Sequence, residues 1–299
     1  MFNMHEEVVE FNANIVPLVT IIMPFYNAGK HLRLAVKSII KQSFTRWELI
    51  LIDDGSTDNA HESISDIYDE RIRFIRYYEN KGLAFRLNQA IDLAYGKYCA
   101  RMDSDDVSYP DRLKLQVEAL ECDKNLDLVA VHSVSIDDDN RFIGILHQSK
   151  SHNEISSHPW KGFRFPHPTW MGKTEWFRKY RYAYPAPYYC EDQELLLRSY
   201  KQSTFGTVPK VLFAYRKYKP KNYIKQFHIR LNMLCYRIKY FNENREFLYL
   251  VLSVVVFIAL IITDLLFLIN PFLYRKLKDI DMNNTGRALE WESIKNSIC

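Results

Sequence analysis

The chain has 299 residues, of which 47% are hydrophobic and 25% charged, and this composition excludes a disordered or fibrous protein. Lysine and arginine together number 40 against 36 acidic residues, and a net charge of only +4 argues against a nucleic-acid-binding protein that works through bulk charge. The five cysteines are scattered without a CxxC pair, so they indicate a reducing compartment rather than a zinc site or a disulfide framework.

Residues 1–17 are expected to form an N-terminal extension without a targeting signal. A secretory signal needs a positive region followed by an apolar stretch, whereas Glu6, Glu7 and Glu10 stand here with no apolar run behind them. This part of the chain is therefore expected to stay in the cytoplasm.

From residue 18 onward, short apolar segments alternate with segments of helical periodicity. The pattern predicts strands over 18–23, 47–52, 72–76 and 97–102, and helices over 30–41, 59–68 and 83–94. Such alternation is typical of βαβ units, so we predict an α/β, Rossmann-like fold with a mainly parallel sheet flanked by helices. Ligands bind at the carboxyl ends of the strands in such sheets, which here are 24–27, 53–58 and 103–106.

Three carboxylates lie within four residues at the last of these strand ends. Asp103 and Asp105 point the same way on an extended segment and can converge on one ligand, and Asp106 follows them. The chain lacks both a GxGxxG loop after a strand and a GxxxxGK[ST] loop, so a hard cation held by carboxylates is the obvious substitute for binding a diphosphate. The alternative is a solvated acidic turn that caps a helix beginning near Asp111.

Four segments together resemble the family 2 glycosyltransferases, which have the GT-A fold and transfer sugars from nucleotide donors. They are VTIIMPFYN at 19–27, WELILIDDGSTD at 47–58, the segment 80–106 that ends in DSDD, and YCEDQELLLRSY at 189–200. The resemblance covers roughly residues 18–215. It implies a nucleotide-sugar-binding half over 18–106 and an acceptor-binding half, with the catalytic base, over 107–215.

The resemblance also implies which residues bind the nucleotide donor. Pro24 and Tyr26 would line the base and ribose, Asp54 would accept a hydrogen bond from the base, and Asp53 would support the same loop. Contacts to the phosphates are expected from the following two cations: Lys81 and Arg86.

A second set of residues would carry the reaction. Asp192 would remove the proton from the acceptor hydroxyl in a single displacement that inverts the anomeric centre. Asp103 would face the ribose or donor sugar and, with Asp105, would bind Mg²⁺ or Mn²⁺. The remaining candidate substrate contacts are the following: Asp106, His167 and Glu191.

Each motif also has a structural alternative. Asp-Gly is a strong turn signal, so Asp53, Asp54 and Gly55 can form a tight turn without any ligand. Asp192 can stand near the N-cap of the helix that begins in this region, and a lone His167 is more often structural than functional.

The C-terminal part contains a long apolar segment. Residues 247–263 carry no charge, and Asp264 is followed by five more apolar residues. A bilayer span needs about 20 mostly apolar residues, so 247–269 is predicted to be a transmembrane or membrane-embedded helix, with a buried core helix as the alternative. The preceding residues 216–246 are rich in Lys, Arg and aromatics, which predicts an amphipathic helix on membrane lipid.

The lysines and arginines that precede the apolar segment place the catalytic part on the cytoplasmic face of a membrane by the positive-inside rule. We expect this to be a bacterial inner membrane. Arg275, Lys276 and Lys278 in the C-terminal tail, 270–299, would suit a cytoplasmic position as well. A re-entrant or interfacial arrangement of the apolar segment therefore stays open.

The leading hypothesis is an inverting glycosyltransferase that moves a sugar, with UDP as the expected carrier, to a hydroxyl of a polyprenyl-linked or cell-surface glycan. The alternative is a non-catalytic nucleotide-sugar-binding scaffold of a glycan assembly complex, against which the complete acidic set argues. A processive synthase is rejected, because the only string similar to its Gln-x-x-Arg-Trp motif, at 42–47, is one residue too long and lies far upstream. A nucleotidyltransferase would need a glycine-rich first loop, which is missing after Met23.

Overall fold

The computed structural model describes residues 7–8, 16–146, 149, 151–185, 189–217, 223–269, 280–281 and 285–298. The strands in chain order are β1 (Glu7–Val8), β2 (Val19–Phe25), β3 (Trp47–Asp54), β4 (Ile72–Tyr77), β5 (Tyr98–Arg101), β6 (Val107–Ser108), β7 (Leu128–Ile136), β8 (Phe142–Leu146), β9 (Met171–Lys173), β10 (Phe205–Arg216) and β11 (Ile280–Asp281). The helices are α1 (Leu32–Ile40), α2 (Leu83–Leu93), α3 (Arg112–Cys122), α4 (His152–Ser156), α5 (Thr174–Tyr180), α6 (Glu191–Ser199), α7 (Tyr223–Glu243), α8 (Phe247–Ile269) and α9 (Thr285–Ile298).

The centre of the sheet is parallel. β2 lies between β3 and β5, β4 follows β3, and all four strands run in the same direction. Every residue of β2 and β3 is buried, as expected for parallel strands with helices on both faces. Phe25 at the end of β2 pairs with Asp53 of β3, so the loops that follow these two strands begin side by side.

Further pairings extend this centre on both sides. β1 pairs with β4 at one edge, while β9 joins β5 to β7, and β7 in turn pairs with β8 and β10. Among the described strands, three of the parallel pairings are longer than any antiparallel one. The predicted mainly parallel α/β architecture is therefore confirmed, and the sheet continues across the boundary predicted at residue 106.

The core has two layers, one on each face of the sheet. Side chains alternate along β2, so that Ile21 and Met23 pack on the face covered by α1 and α3, whereas Ile22 packs on the other face. That second face is covered by α2, α5 and α6, whose apolar side chains belong to the same cluster as Ile22.

Two predicted elements differ from the observed ones. β2 continues through Pro24, which is tolerated because β5 pairs with β2 only as far as Ile22 and no ladder hydrogen bond is lost on that side. The segment 59–68, predicted as a helix, forms only a 3-10 turn at Ala60–Ile64. There Asn59 is left-handed, and the Asp58 carboxylate accepts the Ala60 N–H at 3.1 Å, a local bond that competes with helix formation.

The apolar segment and the basic segment before it form a helical hairpin. α7 and α8 run antiparallel, with Arg230 of α7 paired to Asp264 of α8 and the Phe227 and Phe257 rings 6.3 Å apart. Phe247–Leu266 is long and apolar enough to cross a membrane, and only 11% of its most apolar window is buried, whereas a core helix would be mostly buried.

Part of the predicted tail packs against the sheet. Trp291 of α9 is buried, its ring lies 6.1 Å from that of Tyr109, and its Nε1 donates to the Asn140 carbonyl at 2.8 Å. The basic residues Arg275, Lys276 and Lys278 lie outside the described residues.

Candidate active site

A cavity of about 610 Å³ opens at the carboxyl ends of β2 and β3. Its walls come from the loops after these strands and from the starts of α2 and α6, and its lining residues are Pro24, Phe25, Tyr26, Asp54, Asn80, Gly82, Leu83, Ala84, Tyr189 and Glu191. Four of the residues singled out from the sequence meet here, and Tyr26, which is 51% exposed, offers its ring for stacking. Asn80 and Tyr189 were not among the site residues predicted from the sequence.

The loops that follow β2 and β3 are joined by hydrogen bonds. The Asn27 N–H donates to Ser56 Oγ at 3.0 Å, and the Thr57 N–H donates to Asn27 Oδ1 at 2.8 Å. Asp53 stabilises the loop after β3, because its Oδ1 accepts the Ser56 N–H at 2.8 Å. These bonds fix the two loops to each other next to the cavity residues Tyr26 and Asp54.

Asp54 holds the third loop of the cavity. Its carboxylate accepts the N–H groups of Lys81 at 3.0 Å and Gly82 at 2.8 Å, and it accepts Arg86 Nε at 2.5 Å. Gly82 has a φ of +85°, a backbone conformation that favours glycine at the start of α2. The hydrogen bond expected between Asp54 and a nucleotide base stays a prediction.

Arg86, for which the resemblance implied a phosphate contact, is engaged inside the protein. Its side chain is buried, its Nη1 and Nη2 donate to Gln89 Oε1 at 2.9 Å and to the Glu79 carbonyl at 2.8 Å, and it stacks on the Tyr77 ring. All three guanidinium nitrogens are thus used inside the protein. Lys81 is half-buried, with its Nζ 3.5 Å from Glu79, and its phosphate contact stays a prediction.

Asp103, Asp105 and Asp106 converge beside the cavity. Oxygen atoms of the three carboxylates lie within 4.8 Å of one another. Asp106 is buried, and its Oδ1 accepts the Arg216 N–H at 2.7 Å, while its Oδ2 has no hydrogen-bond partner among the described residues. Burial and the neighbouring charges of Asp105 and Asp103 raise the pKa of Asp106. Three converging oxygen ligands with one buried oxygen left without a donor fit a divalent cation.

Two buried arginines hold this acidic cluster. Arg216 Nε donates to the Asp105 carbonyl at 2.7 Å, and Arg101 Nη2 lies 2.5 Å from Asp103 Oδ1. Arg101 is 3% exposed, and its Nε and Nη1 have no partner among the described residues. Neither arginine was singled out from the sequence, because one belongs to a predicted strand and the other lies more than a hundred residues from the cluster.

The first turn of α6 carries Glu191 and Asp192. The N-cap is Cys190 and Asp192 is the second residue of the helix, so Asp192 stands near the cap as expected. Burial raises the pKa of Asp192, against the effect of Gln193, whose Nε2 donates to Asp192 Oδ2 at 3.2 Å. Burial and the adjacent Asp192 charge raise the pKa of Glu191 to about 7. Two adjacent carboxyl groups with raised pKa values therefore stand at the start of α6, and Glu191 lines the cavity.

His167 is enclosed by its neighbours. It is buried, its Nε2 lies 2.6 Å from the Tyr182 hydroxyl, and its ring packs edge-on against Trp170. Burial and the Arg101 charge lower the pKa of His167, so the imidazole is neutral at pH 7. The candidate substrate contact of His167 is not supported by this geometry, because its side chain is enclosed and already has a polar partner.

The helical hairpin reaches the mouth of the cavity. Lys225, near the start of α7, places its Nζ 3.7 Å from the centre of the Tyr189 ring, and Tyr189 lines the cavity. Sequence analysis predicted a membrane-surface helix in this region but did not indicate a contact with the candidate active site.

Comparison with known proteins indicates the family of this chain. The family model described as "Glycosyl transferase family 2" matches residues 20–183, more than half of the chain. A curated relative is the UDP-Glc:alpha-D-GlcNAc-diphosphoundecaprenol beta-1,3-glucosyltransferase WfgD of Escherichia coli, 36% identical over 103 residues, which are 34% of this chain and 41% of WfgD. The chain spans 19% to 59% of the length of the curated relatives most similar to it.

Solved structures share the fold. TarS of S. aureus in complex with UDP-GlcNAc has a TM-score of 0.59 at 16% identity, with 74% of this chain and 66% of that chain covered. The mannosyltransferase PcManGT from Pyrobaculum calidifontis in complex with GDP-Man and Mn²⁺ also has a TM-score of 0.59, at 15% identity, covering 97% and 87%. These likenesses confirm the GT-A fold that the sequence motifs implied.

Proposed function

This chain belongs to glycosyl transferase family 2, and from that premise we propose that it is an inverting glycosyltransferase that uses a nucleotide-sugar, with UDP as the nucleotide. The acceptor is a hydroxyl of a lipid-linked or cell-surface glycan. The observation that carries the proposal is the cavity in which Pro24, Tyr26 and Asp54 lie together with Glu191, the residue of α6 that directly precedes Asp192. The donor site and the base are therefore neighbours.

The nucleotide-sugar would bind along the carboxyl ends of β2 and β3. The base and ribose would lie against Pro24 and Tyr26. Asp103 and Asp105, with the buried oxygen of Asp106, would hold Mg²⁺ or Mn²⁺. When bound, this cation would neutralise charge that develops on the diphosphate leaving group.

Asp192 would act as the general base. A sugar hydroxyl is a poor nucleophile, so a positioned carboxylate assists by accepting its proton as the new glycosidic bond forms. The displaced bond is that between the anomeric carbon and the diphosphate, and one displacement inverts the configuration. The pKa of Asp192 is raised by burial, which makes it a stronger base than a free aspartate. Glu191, whose pKa is about 7, would contact the donor side of the cavity.

The hairpin of α7 and α8 would bind the enzyme to the cytoplasmic face of a bacterial inner membrane. Exposed apolar side chains recur along one side of α8, at Leu248, Val251, Val255, Ile258, Ile262 and Leu265. A polyprenyl-linked acceptor fits such an anchor, since its lipid would stay in the membrane while its sugar reaches the cavity. The acceptor named for WfgD, a GlcNAc-diphosphoundecaprenol, is of this class.

The test is the thermal stability of the detergent-purified protein with UDP, GDP, CDP or ADP, each with and without Mn²⁺. We expect UDP to raise the melting temperature in a metal-dependent way. In a separate activity assay, the protein should slowly release UDP from a matching UDP-sugar. A metal-dependent rise in melting temperature with GDP alone would mean that the donor is a GDP-sugar rather than a UDP-sugar. Nucleotide binding without turnover of any nucleotide-sugar, tested with membrane extracts as acceptor, would favour the scaffold alternative and contradict the proposed activity.

A further inference from the structure

A second cavity, of about 550 Å³, lies on the other side of α6. It is bounded by α4, by the loop that follows α4 and by Gln193 of α6, and it shares no lining residue with the donor cavity. Its polar and charged side chains include Glu154, His158, Lys161, Arg164 and Gln193.

Three consecutive residues of α6 separate the two cavities. Glu191 lines the donor cavity, Gln193 lines the second cavity, and Asp192 stands between them in the chain. Successive residues of a helix project about 100° apart, so side chains two positions apart point to nearly opposite sides. Gln193 Nε2 also donates to Asp192 Oδ2 at 3.2 Å. A molecule in the second cavity is therefore one side chain away from the general base of the proposed function.

The loop that walls the second cavity is held rigidly. Gln193 Oε1 accepts the Phe163 N–H at 2.9 Å, and its Nε2 donates to the Phe163 carbonyl at 3.2 Å. Gly162 has a φ of +114°, and a Cβ there would lie 2.8 Å from Arg237 Nη2 and 3.0 Å from Gln193 Oε1. Glycine is needed here both for the backbone conformation and for the close approach of two polar side chains.

The charge of the second cavity is positive. Lys161 and Arg164 are exposed, and neither side chain makes an ion pair or a hydrogen bond with the described residues. His158 adds an imidazole, Glu154 is the one acidic side chain among the lining residues, and the buried Arg237 lies behind Gly162. Burial lowers the pKa of Arg237 to about 10, so its guanidinium remains charged at neutral pH. Two unpaired cations beside a rigid loop are a setting for an anionic group.

The same loop contacts the start of the apolar helix. Trp160 lies between the cavity residues His158 and Lys161, and its ring is 4.8 Å from the Tyr249 ring of α8. The Trp160 ring also meets the His158 imidazole edge-on at 5.0 Å. An anion bound in the second cavity would therefore lie close to the end of α8 from which exposed apolar side chains begin.

We infer that the second cavity binds the phosphate or diphosphate group of a lipid-linked acceptor through Lys161 and Arg164. The inference rests on the proposed function, since it uses Asp192 as the base that the acceptor sugar must reach. The anion would be held on the Gln193 side of α6, the lipid would follow α8, and the sugar would extend past Gln193 toward Asp192. The recognised chemistry is a phosphate ester next to an apolar chain.

The experiment measures binding of farnesyl diphosphate to the full-length protein in neutral detergent, with saturating UDP and Mn²⁺ present to fill the donor site. Lys161→Gln/Arg164→Gln should weaken binding by about tenfold or more, because two charge-assisted contacts to phosphate are lost. Lys41→Gln/Arg46→Gln is the matched control, since it removes two exposed cations that lie before β3 and do not line the second cavity. The control should bind as the wild type does.

Further ligands identify the source of the recognised group. Farnesol should bind at least about tenfold more weakly than farnesyl diphosphate, since it lacks the anion. Inorganic diphosphate is tested in the same way. If it binds the wild type and loses the same affinity in Lys161→Gln/Arg164→Gln, the anion site is supported and recognition is assigned to the phosphates alone. Equal affinity of both double variants for farnesyl diphosphate would overturn the inference, as would equal binding of farnesol.

Failure of this inference can be told apart from failure of the proposed function. The metal-dependent rise in stability with UDP does not involve Lys161 or Arg164, and it should be unchanged in both double variants, which also shows that they fold. If UDP does not bind even to the wild type, the proposed function fails, and the farnesyl diphosphate measurement without UDP still decides whether the second cavity takes an anion.

Discussion

Asp54 and Arg86 form a buried ion pair behind the donor cavity, with Arg86 Nε 2.5 Å from Asp54 Oδ1. Asp54 also accepts the two N–H groups of the turn at Lys81 and Gly82, and Arg86 donates to the Glu79 carbonyl just before that turn. The pair thus fixes the loop that starts α2 against the end of β3. The shape of the donor cavity depends on a contact that need not touch the ligand.

Replacement of Arg86 by Met should lower the free energy of unfolding by about 3 kcal/mol, because the buried Asp54 carboxylate loses its counter-charge. Urea denaturation measures the change. The double variant Arg86→Met/Asp54→Asn should be more stable than Arg86→Met alone, since no unpaired charge stays buried. A double variant less stable than either single variant would show that the ion pair is not the cause of the loss.

Replacement of Asp105 by Asn should weaken metal-dependent binding of UDP by about tenfold or more, since one anionic ligand of the proposed cation is removed. Binding of UDP in the absence of metal should not change. Titration calorimetry with and without Mn²⁺ measures both affinities, and Asp92→Asn on the exposed part of α2 is a suitable control. An equal loss of affinity in the two conditions would mean that Asp105 contributes to folding of the site rather than to metal binding.

Replacement of Asp192 by Asn should lower kcat by about 10²- to 10⁴-fold, the usual contribution of a general base. The affinity for UDP with Mn²⁺ should stay near that of the wild type, because Asp192 does not line the donor cavity. Radiolabel transfer from the donor, together with the UDP-induced thermal shift, separates the two effects. Full turnover in the variant would show that another group accepts the proton.

Much of the parallel sheet is predictable, because β2 and β3 are mostly apolar and are buried along their whole length. The acidic cluster is predictable for the same reason, since Asp103 follows directly on such a strand. The supporting contacts are not. Arg216 reaches the Asp105 carbonyl from more than a hundred residues away, and no local pattern records that pairing.

The role of the apolar segment also depends on tertiary structure. Composition alone did not distinguish a membrane helix from a core helix, because both are long and apolar. The decisive fact is exposure, and α8 packs on α7 along one side while Leu248 and Val255 remain more than half exposed. Similarly, a histidine next to a proline gives no sign that His167 is enclosed by Tyr182 and Trp170.

The exposed side of α8 should carry the membrane affinity. Ile258 lies near the middle of the helix and is 51% exposed. A carboxylate there would cost about 2–3 kcal/mol in the hydrocarbon region, so Ile258→Glu should markedly reduce the fraction that floats with vesicles containing phosphatidylglycerol. Leu289→Glu on α9, which replaces a side chain of 69% exposure, should float as the wild type does. Equal flotation of the two variants would exclude this face of α8 as the anchor.

The pH dependence of stability should report on Glu191. Burial and the Asp192 charge raise the pKa of Glu191 in the folded protein to about 7, from 4.5 in the unfolded chain. Between these values the folded state binds more protons than the unfolded state, so this group's contribution to the free energy of unfolding falls as the pH rises. Glu191→Gln removes the ionisation, and its melting temperature should exceed that of the wild type at pH 8 more than at pH 4.5.

Thermal denaturation of both proteins across this range measures the difference, and Glu175→Gln serves as the control because its side chain is 86% exposed. The gain in Glu191→Gln should develop mainly between pH 4.5 and 7 and level off above it. The same gain at every pH would assign the effect to packing of the amide. A gain confined to the acidic end would mean that Glu191 is stabilised as a carboxylate, contrary to its burial beside Asp192.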